Sequence, residues 1–347
     1  MKLGRFDLGA GHAPLIVGEL SGNHQGSLER ALAIVDAIAA SGAQALKLQT
    51  YTADTMTLDI TEREFVIDDP KSLWNGRSLY ALYEEAHTPW EWHAPLFRRA
   101  REHGLIAFSS PFDASAVEFL ETLDVPAYKI ASFENRDLEL VRRVARTGKP
   151  VIISTGLATL AEIQEVVATA RGAGCRDLVL LKCTSSYPSD PTASNLRTIP
   201  YLRDLFGCEV GLSDHTLGIA VAIAAVGLGA TVIEKHVTLD RREHGVDSAF
   251  SLEPEELKQL VEGSRAAWQA LGAVQTEPTE QERSSLIFRR SLYVCEDLAA
   301  GEVLTVRNLR AIRPGYGLAP RYLQMLLGKR VSRPVVRGTP MSWDLLG

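Results

Sequence analysis

Along the first 272 residues, short aliphatic runs alternate with longer amphipathic stretches, the pattern of buried parallel strands each followed by a surface helix. The runs LIVGEL (15–20), ALKLQT (45–50), LIAFSS (105–110), PAYKIAS (126–132), PVIIST (150–155), DLVLLKCT (177–184), CEVGLS (208–213) and TVIEKH (231–236) predict eight strands. Helices are predicted over 28–41, 91–103, 114–123, 137–146, 159–172, 195–206, 218–228 and 254–271. Eight successive βα units in about 270 residues predict an α/β fold, a (β/α)8 TIM barrel. The competing arrangement, a doubly wound open sheet, normally carries a glycine-rich phosphate turn after its first strand. Here that turn reads ELSGNHQGS.

Two stretches break the alternation. Residues 51–90 connect a strand to its helix through far more chain than the usual two to six residues, and they are rich in aromatics: Tyr51, Phe65, Trp74, Tyr80, Tyr83 and Trp90. Such a connection is expected to serve function or assembly. The polar passage GAVQTEPTEQERSS then predicts a linker over 273–285, between a catalytic domain at 1–272 and a compact strand-and-turn module at 286–347.

Composition narrows the function classes. A net charge of −6 argues against a broad nucleic-acid footprint, which needs clustered Lys and Arg. The four cysteines have no C-x-x-C spacing, so reduced thiols in a cytoplasmic protein are expected rather than a zinc cage or a disulfide framework. The longest apolar passage, 218–233, is too short and too rich in Ala and Gly to cross a membrane.

The strand ends carry the chemistry. In a parallel barrel, inward positions recur at every second residue and are bulky aliphatics except near the C-terminal mouth, where catalysis sits. At or just past those ends stand Glu19, Lys47 with Gln49, Ser109 with Ser110, Lys129 with Ser132 and Glu134, Ser154, Thr184 with Ser185, Ser213 with His215, and His236. A lone serine there is ordinary. Two lysines are not, because a buried ammonium needs an anion beside it. Together with the hydroxyls they predict a site for a small, multiply charged phosphate or carboxylate. His215 and His236 are distant in sequence, but adjacent strands would bring them together, with Glu19 closing the ring from the first strand. That set predicts a divalent metal with open positions, hence a catalytic ion.

These residues resemble the sialic acid synthase family, which condenses phosphoenolpyruvate with an amino-sugar aldehyde. The motifs are GELSGNHQG (18–26), LKLQTY (46–51), FSSPFD (108–113), YKIASFE (128–134), ISTGLAT (153–159), KCTSSYP (182–188), GLSDHTLG (211–218) and VIEKHVTLDR (232–241). They occur in order across nearly the whole barrel. The stretch RRSLYVCEDLAAGEVLTVRNLRAIRPGYGLAP resembles the antifreeze-like (SAF) module of that family. LWNGRSLYALYEEAHTPWEWH (73–93) and GVDSAFSLEP (245–254) are most similar to the branch that makes pseudaminic acid; sialic acid synthases typically have His where this chain has Ser248, a change expected to border the sugar site.

The resemblance implies roles. His215 and His236 would hold Mn²⁺, with Mg²⁺ or Co²⁺ as alternatives, and Glu19 would handle protons beside it. Lys47, Ser110, Lys129, Ser132, Ser154, Ser185 and Ser213 would bind phosphoenolpyruvate, Ser185 standing where the family usually has Asn. Gln49, Glu134, Tyr187, Asp247 and Arg313 would grip the sugar, here 2,4-diacetamido-2,4,6-trideoxy-altrose. Arg313 would reach the partner's site in a domain-swapped homodimer. Without the family, Tyr187 would serve equally to brace a turn before Pro188, Asp247 would cap a helix (a task better suited to Ser251), and Glu134 would pair with a lysine. The rival functions are an N-acetylneuraminate or legionaminate synthase with the same chemistry, a non-catalytic sugar-binding or ice-binding protein, and an aldolase using Lys129 as a Schiff base.

Overall fold

Eight parallel strands close into a barrel in the computed structural model, which describes residues 1–243 and 245–347. The strands are β1 (Leu15–Glu19), β2 (Ala45–Thr50), β3 (Ile106–Pro111), β4 (Tyr128–Ile130), β5 (Val151–Ser154), β6 (Leu178–Cys183), β7 (Glu209–Ser213) and β8 (Val232–His236). Each pairs with the next, and β8 returns to β1 with His236 opposite Glu19. The register continues from Glu19 to Lys47 on β2, so three polar strand ends lie side by side.

Alternation along the strands sorts two cores. Leu15 and Val17 join Phe108, Ile152, Val179, Leu181 and Val232 in the lumen, whereas Ile16, between them, packs outward with Ile34 and Ile38 of the first helix. Leu3 and Leu8 of the N-terminal hairpin also enter the lumen cluster and close its lower end. The outer helices are α1 (Leu28–Ala40), α2 (Trp90–Glu102), α3 (Ala114–Thr122), α4 (Leu138–Ala145), α5 (Leu160–Gly172), α6 (Thr198–Phe206), α7 (Ala220–Gly227) and α8 (Pro254–Leu271). Side chains start several of them: Ser27 accepts from the Arg30 amide, Asp113 from Ser115 and Ala116, and Thr159 forms a capping box with Glu162. Gly207 ends α6 at φ 56°, a left-handed conformation that favours glycine.

Three local expectations are corrected. β4 is shorter than 126–132 because the chain turns at Ala131, whose carbonyl accepts from the Glu134 amide, leaving Ser132 and Glu134 on a loop. Ser251 does not cap α8; its hydroxyl donates to Asp247 O at 2.7 Å, and Glu256 accepts from the Glu253 amide instead. The 273–285 passage is partly helical, with a turn of helix over Glu280–Arg283 begun by Thr279. The long connection contains short helices at Ala53–Met56 and Leu79–Ala86.

The chain divides into two units, Met1–Gly272 and Ala273–Gly347. The second has its own core of Leu292, Val294, Leu298, Leu304, Leu309 and Leu326, built on an antiparallel pair, β9 (Ser291–Val294) and β10 (Leu309–Ile312). Among the described residues, no helix is long and apolar enough to cross a membrane.

Candidate active site

The lumen changes character abruptly above its aliphatic layer. Glu19, Lys47, Lys129 and Glu234 point inward there, each 2 % exposed or less. Lys47 Nζ lies 2.9 Å from Glu19 Oε2 and 2.9 Å from Glu234 Oε1, while Lys129 Nζ lies 3.2 Å from the same Glu234 oxygen. Ser213 donates to Glu234 Oε1 at 2.9 Å, and Gln49 Nε2 to Glu19 Oε1 at 2.8 Å. Isolated charges at this depth would cost several kcal/mol each; alternation of sign offsets that cost.

Protonation follows the same geometry. Burial alone would raise the Glu234 carboxyl, but Lys129 and Lys47 hold it well below the usual carboxylate range. Burial would likewise lower Lys47, yet Glu19 and Glu234 keep its ammonium above the usual lysine range. Lys129 has a single carboxylate partner, and burial lowers it. The two lysines are therefore balanced by protein carboxylates, of which the strand-end reading included Glu19 but not Glu234. Glu234 was missed because that reading stopped at His236. The signal lay two residues earlier, on the same face of β8.

The imidazoles meet beside this floor. His215 follows β7 and His236 ends β8, and their ring centroids are 5.3 Å apart. His215 Nδ1 is 3.1 Å from Thr184 O, which leaves Nε2 toward the cavity. His236 Nε2 lies 3.2 Å from Glu19 Oε2, and its Nδ1 is buried without a hydrogen-bond partner among the described residues, 3.9 Å from Asp247 Oδ2. Asp247 is held by the Ser21 hydroxyl and the Gly22 amide, joining the loops after β8 and β1. Asn23 reinforces the junction, donating to Val237 O and Ser251 and accepting from Ser248.

Ser248 is fully buried in that junction and does not line the cavity. Its hydroxyl donates to Asn23 Oδ1 at 3.2 Å and lies 3.4 Å from Thr238 Oγ1, and its chain neighbour Asp247 does line the cavity.

Hydroxyls line the opposite side. Ser132 and Ser154 Oγ are buried without partners among the described residues, and a Cβ on Gly156 would collide with the hydroxyls of Ser132 and Ser185. Glycine at 156 thus leaves those hydroxyls their space. Ser110 has lumen parity, opposite Gln49, and a hydroxyl without a partner among the described residues, but does not line the cavity. Glu134 does line it, with Oε2 unpaired among the described residues rather than joined to a lysine, and burial pushes its carboxyl up to about 7. Cys183, unmarked by sequence reasoning, sits 3.9 Å from His215 Nδ1; burial opposes the effect, but this contact brings the thiol down to about 7.

The cavity, open at the barrel mouth, has a volume of about 360 Å³. Tyr187 closes it beside His215 at 4.5 Å between centroids, and Trp74 from the long connection stands 5.9 Å from Tyr187. Gln49 and Ser213 also face the cavity. Arg313 lies exposed in the second unit, just after β10. Among the described residues no cluster of three or more His, Cys, Asp or Glu is set for a metal, so two imidazoles with open positions is the available arrangement.

A model of the NeuB family matches residues 34–276, and a model of the SAF domain matches residues 289–347. The chain is 44% identical to a pseudaminic acid synthase of Campylobacter jejuni, over 97% of each chain. It is also 44% identical to a pseudaminic acid synthase of Helicobacter pylori, over 95% of this chain and 97% of that one. A solved structure of N-acetylneuraminic acid synthetase from Leptospira borgpetersenii, in complex with citrate, superposes with a TM-score of 0.74 at 30% identity, covering 82% of this chain and 94% of the other.

Proposed function

The chain belongs to the NeuB family, and from that premise we propose that it condenses phosphoenolpyruvate with open-chain 2,4-diacetamido-2,4,6-trideoxy-altrose, giving pseudaminic acid and phosphate. The observation that carries this reading is the meeting at one rim of paired imidazoles with a buried lysine and serine cluster, in a chain similar over nearly its full length to pseudaminic acid synthases.

Phosphoenolpyruvate would lie over Lys47 and Lys129, its phosphate and carboxylate taken by the unpaired hydroxyls of Ser132 and Ser154 and by Ser185, with Ser110 and Ser213 behind them. The floor alone is neutral, two ammoniums against two carboxylates, so a ligand bringing both a phosphate and a carboxylate calls for further positive charge. The fit to a divalent ion such as Mn²⁺ rests on the two imidazoles: His215 would present Nε2, and His236 Nδ1 has no hydrogen-bond partner among the described residues, while Glu19, on His236 Nε2, would hold that ring in place. Bound there, such an ion supplies Lewis acidity toward the aldehyde oxygen.

Carbon C3 of phosphoenolpyruvate forms the new bond to the aldehyde carbon, the cationic C2 takes water, and phosphate departs with C–O cleavage. Glu19 receives the proton from that water or returns one to the new alkoxide. Gln49, held to Glu19, and Glu134, Tyr187 and Asp247 orient the sugar, and holding both partners in register contributes up to roughly 7–11 kcal/mol. We also propose that a second copy of the chain completes the site through its SAF domain, bringing Arg313, and that the enzyme works in the cytoplasm.

Purified protein incubated with phosphoenolpyruvate and each candidate amino sugar, with phosphate release as the readout, tests this reading. Turnover with the diacetamido-trideoxy sugar is expected. Turnover with N-acetylmannosamine alone overturns the substrate, and His215→Ala or His236→Ala with unchanged metal-dependent release overturns the metal site.

A further inference from the structure

The cavity has two hemispheres of different origin. Every charged group on its surface comes from the barrel strands and the short loops after them. The long connection after β2 contributes Met56, Ile67, Trp74, Leu79, Leu82 and Ala86 with the phenols Tyr51 and Tyr83, and none of its described charged side chains lines the cavity. This is not for want of charge: Arg77 pairs with Glu85, and Asp54 accepts from Tyr80, on exposed surface. The connection keeps its described charged groups outward and turns aliphatic and aromatic ones inward, a patterning that selects a ligand rather than only covering one.

Trp74 fixes where this wall stands. Its indole Nε1 donates to Val246 O at 3.0 Å, tying the connection to the loop after β8, and Val246 lines the same cavity. Between Trp74 and His215 lies one ring, Tyr187. An aldehyde carbon must reach the histidines, so the part of an open-chain sugar that meets Trp74 and its neighbours is its far end.

We infer that the 51–89 connection is the specificity wall of the site: it accepts a sugar whose far end bears methyl groups, a 6-deoxy carbon and an acetamido methyl, and disfavours one with hydroxyls there. This rests on the synthase reading above and assigns its substrate preference to Ile67, Trp74 and Leu79. A hydroxyl against Ile67 or Leu79 forfeits its water without gaining a partner from those side chains, whereas a methyl loses nothing polar. Discrimination worth one methyl in an apolar pocket is typically about 10–200-fold.

The test compares kcat/KM for the 2,4-diacetamido-6-deoxy sugar with that for its 6-hydroxy counterpart, at saturating phosphoenolpyruvate. Ile67→Ser and Leu79→Ser are suited to it because both side chains are only half-buried. The ratio is expected to fall about tenfold or more in each, with the KM for phosphoenolpyruvate unchanged, while Ile67→Val and Leu79→Met keep the ratio within about twofold. A folded serine variant that retains the parental ratio overturns the inference, as does a Val or Met variant that loses it. Failure of the parent to turn over the 6-deoxy sugar overturns the synthase reading instead.

Discussion

Glu134 and Glu234 face one cavity, and their surroundings drive them in opposite directions. Burial holds the Glu134 carboxyl up to about 7, against 4.5 for the free group, with the nearby Lys129 only partly opposing it. A folded-state value above the unfolded one means that the stabilising contribution is complete below about pH 4.5 and is lost as pH rises toward 7. Glu134→Gln removes this dependence. Urea midpoints at pH 5 and pH 8 should show the parent losing on the order of 3 kcal/mol more than the variant across that interval. Glu234 stays ionised between Lys47 and Lys129, and Ser213 donates to it. Glu234→Gln leaves two buried ammoniums sharing only Glu19, so the expected loss in urea unfolding is roughly 3–5 kcal/mol, larger than for the same change at exposed Glu118.

At the scale of elements, alternation on β8 does two jobs. Glu234 and His236 face the lumen, and Lys235 between them faces outward yet is 0 % exposed. Its ammonium lies 3.1 Å from Asp214 Oδ2 and 2.5 Å from Thr216 O, while Asp214 Oδ1 accepts from the Thr216 amide. The turn carrying His215 is thereby fastened to the strand carrying His236. Lys235→Met should destabilise strongly, because Asp214 is left buried and uncompensated, whereas the double change Lys235→Met with Asp214→Leu should regain most of that stability. The double variant is nevertheless expected to bind Mn²⁺ about tenfold more weakly by titration, since the two imidazoles lose their common tether.

The same alternation explains what the sequence made legible. Strand runs such as LIVGEL and TVIEKH are aliphatic on both faces until the mouth, so the barrel and the polar strand ends could be read directly. Glu234 as a partner of Lys47 could not, because that pair depends on β8 closing against β1 and on parity two residues back from a strand end. Nor could Trp74, whose hydrogen bond to Val246 spans 172 residues and leaves no periodic trace. The direction of Ser248 is no more legible: its place in the motif says nothing of the hydroxyl that donates to Asn23.

The whole molecule has two cores, one in and around the barrel and one in the SAF domain, so the question at this scale is which chain's second unit completes which site. If a swapped dimer is correct, Arg313→Ala and His236→Ala are defects in different halves of each composite site. Mixing the two inactive proteins under conditions that exchange subunits then creates heterodimers with one intact site, and random exchange should restore about a quarter of parental phosphate release. Pairing Glu19→Ala with His236→Ala provides the contrast, because both defects lie in barrels and every composite site keeps one of them. That mixture should stay inactive. Recovery in neither mixture, with exchange verified by mass, would mean that each chain completes its own site, and recovery in the first alone would require the arginine to arrive from the other chain.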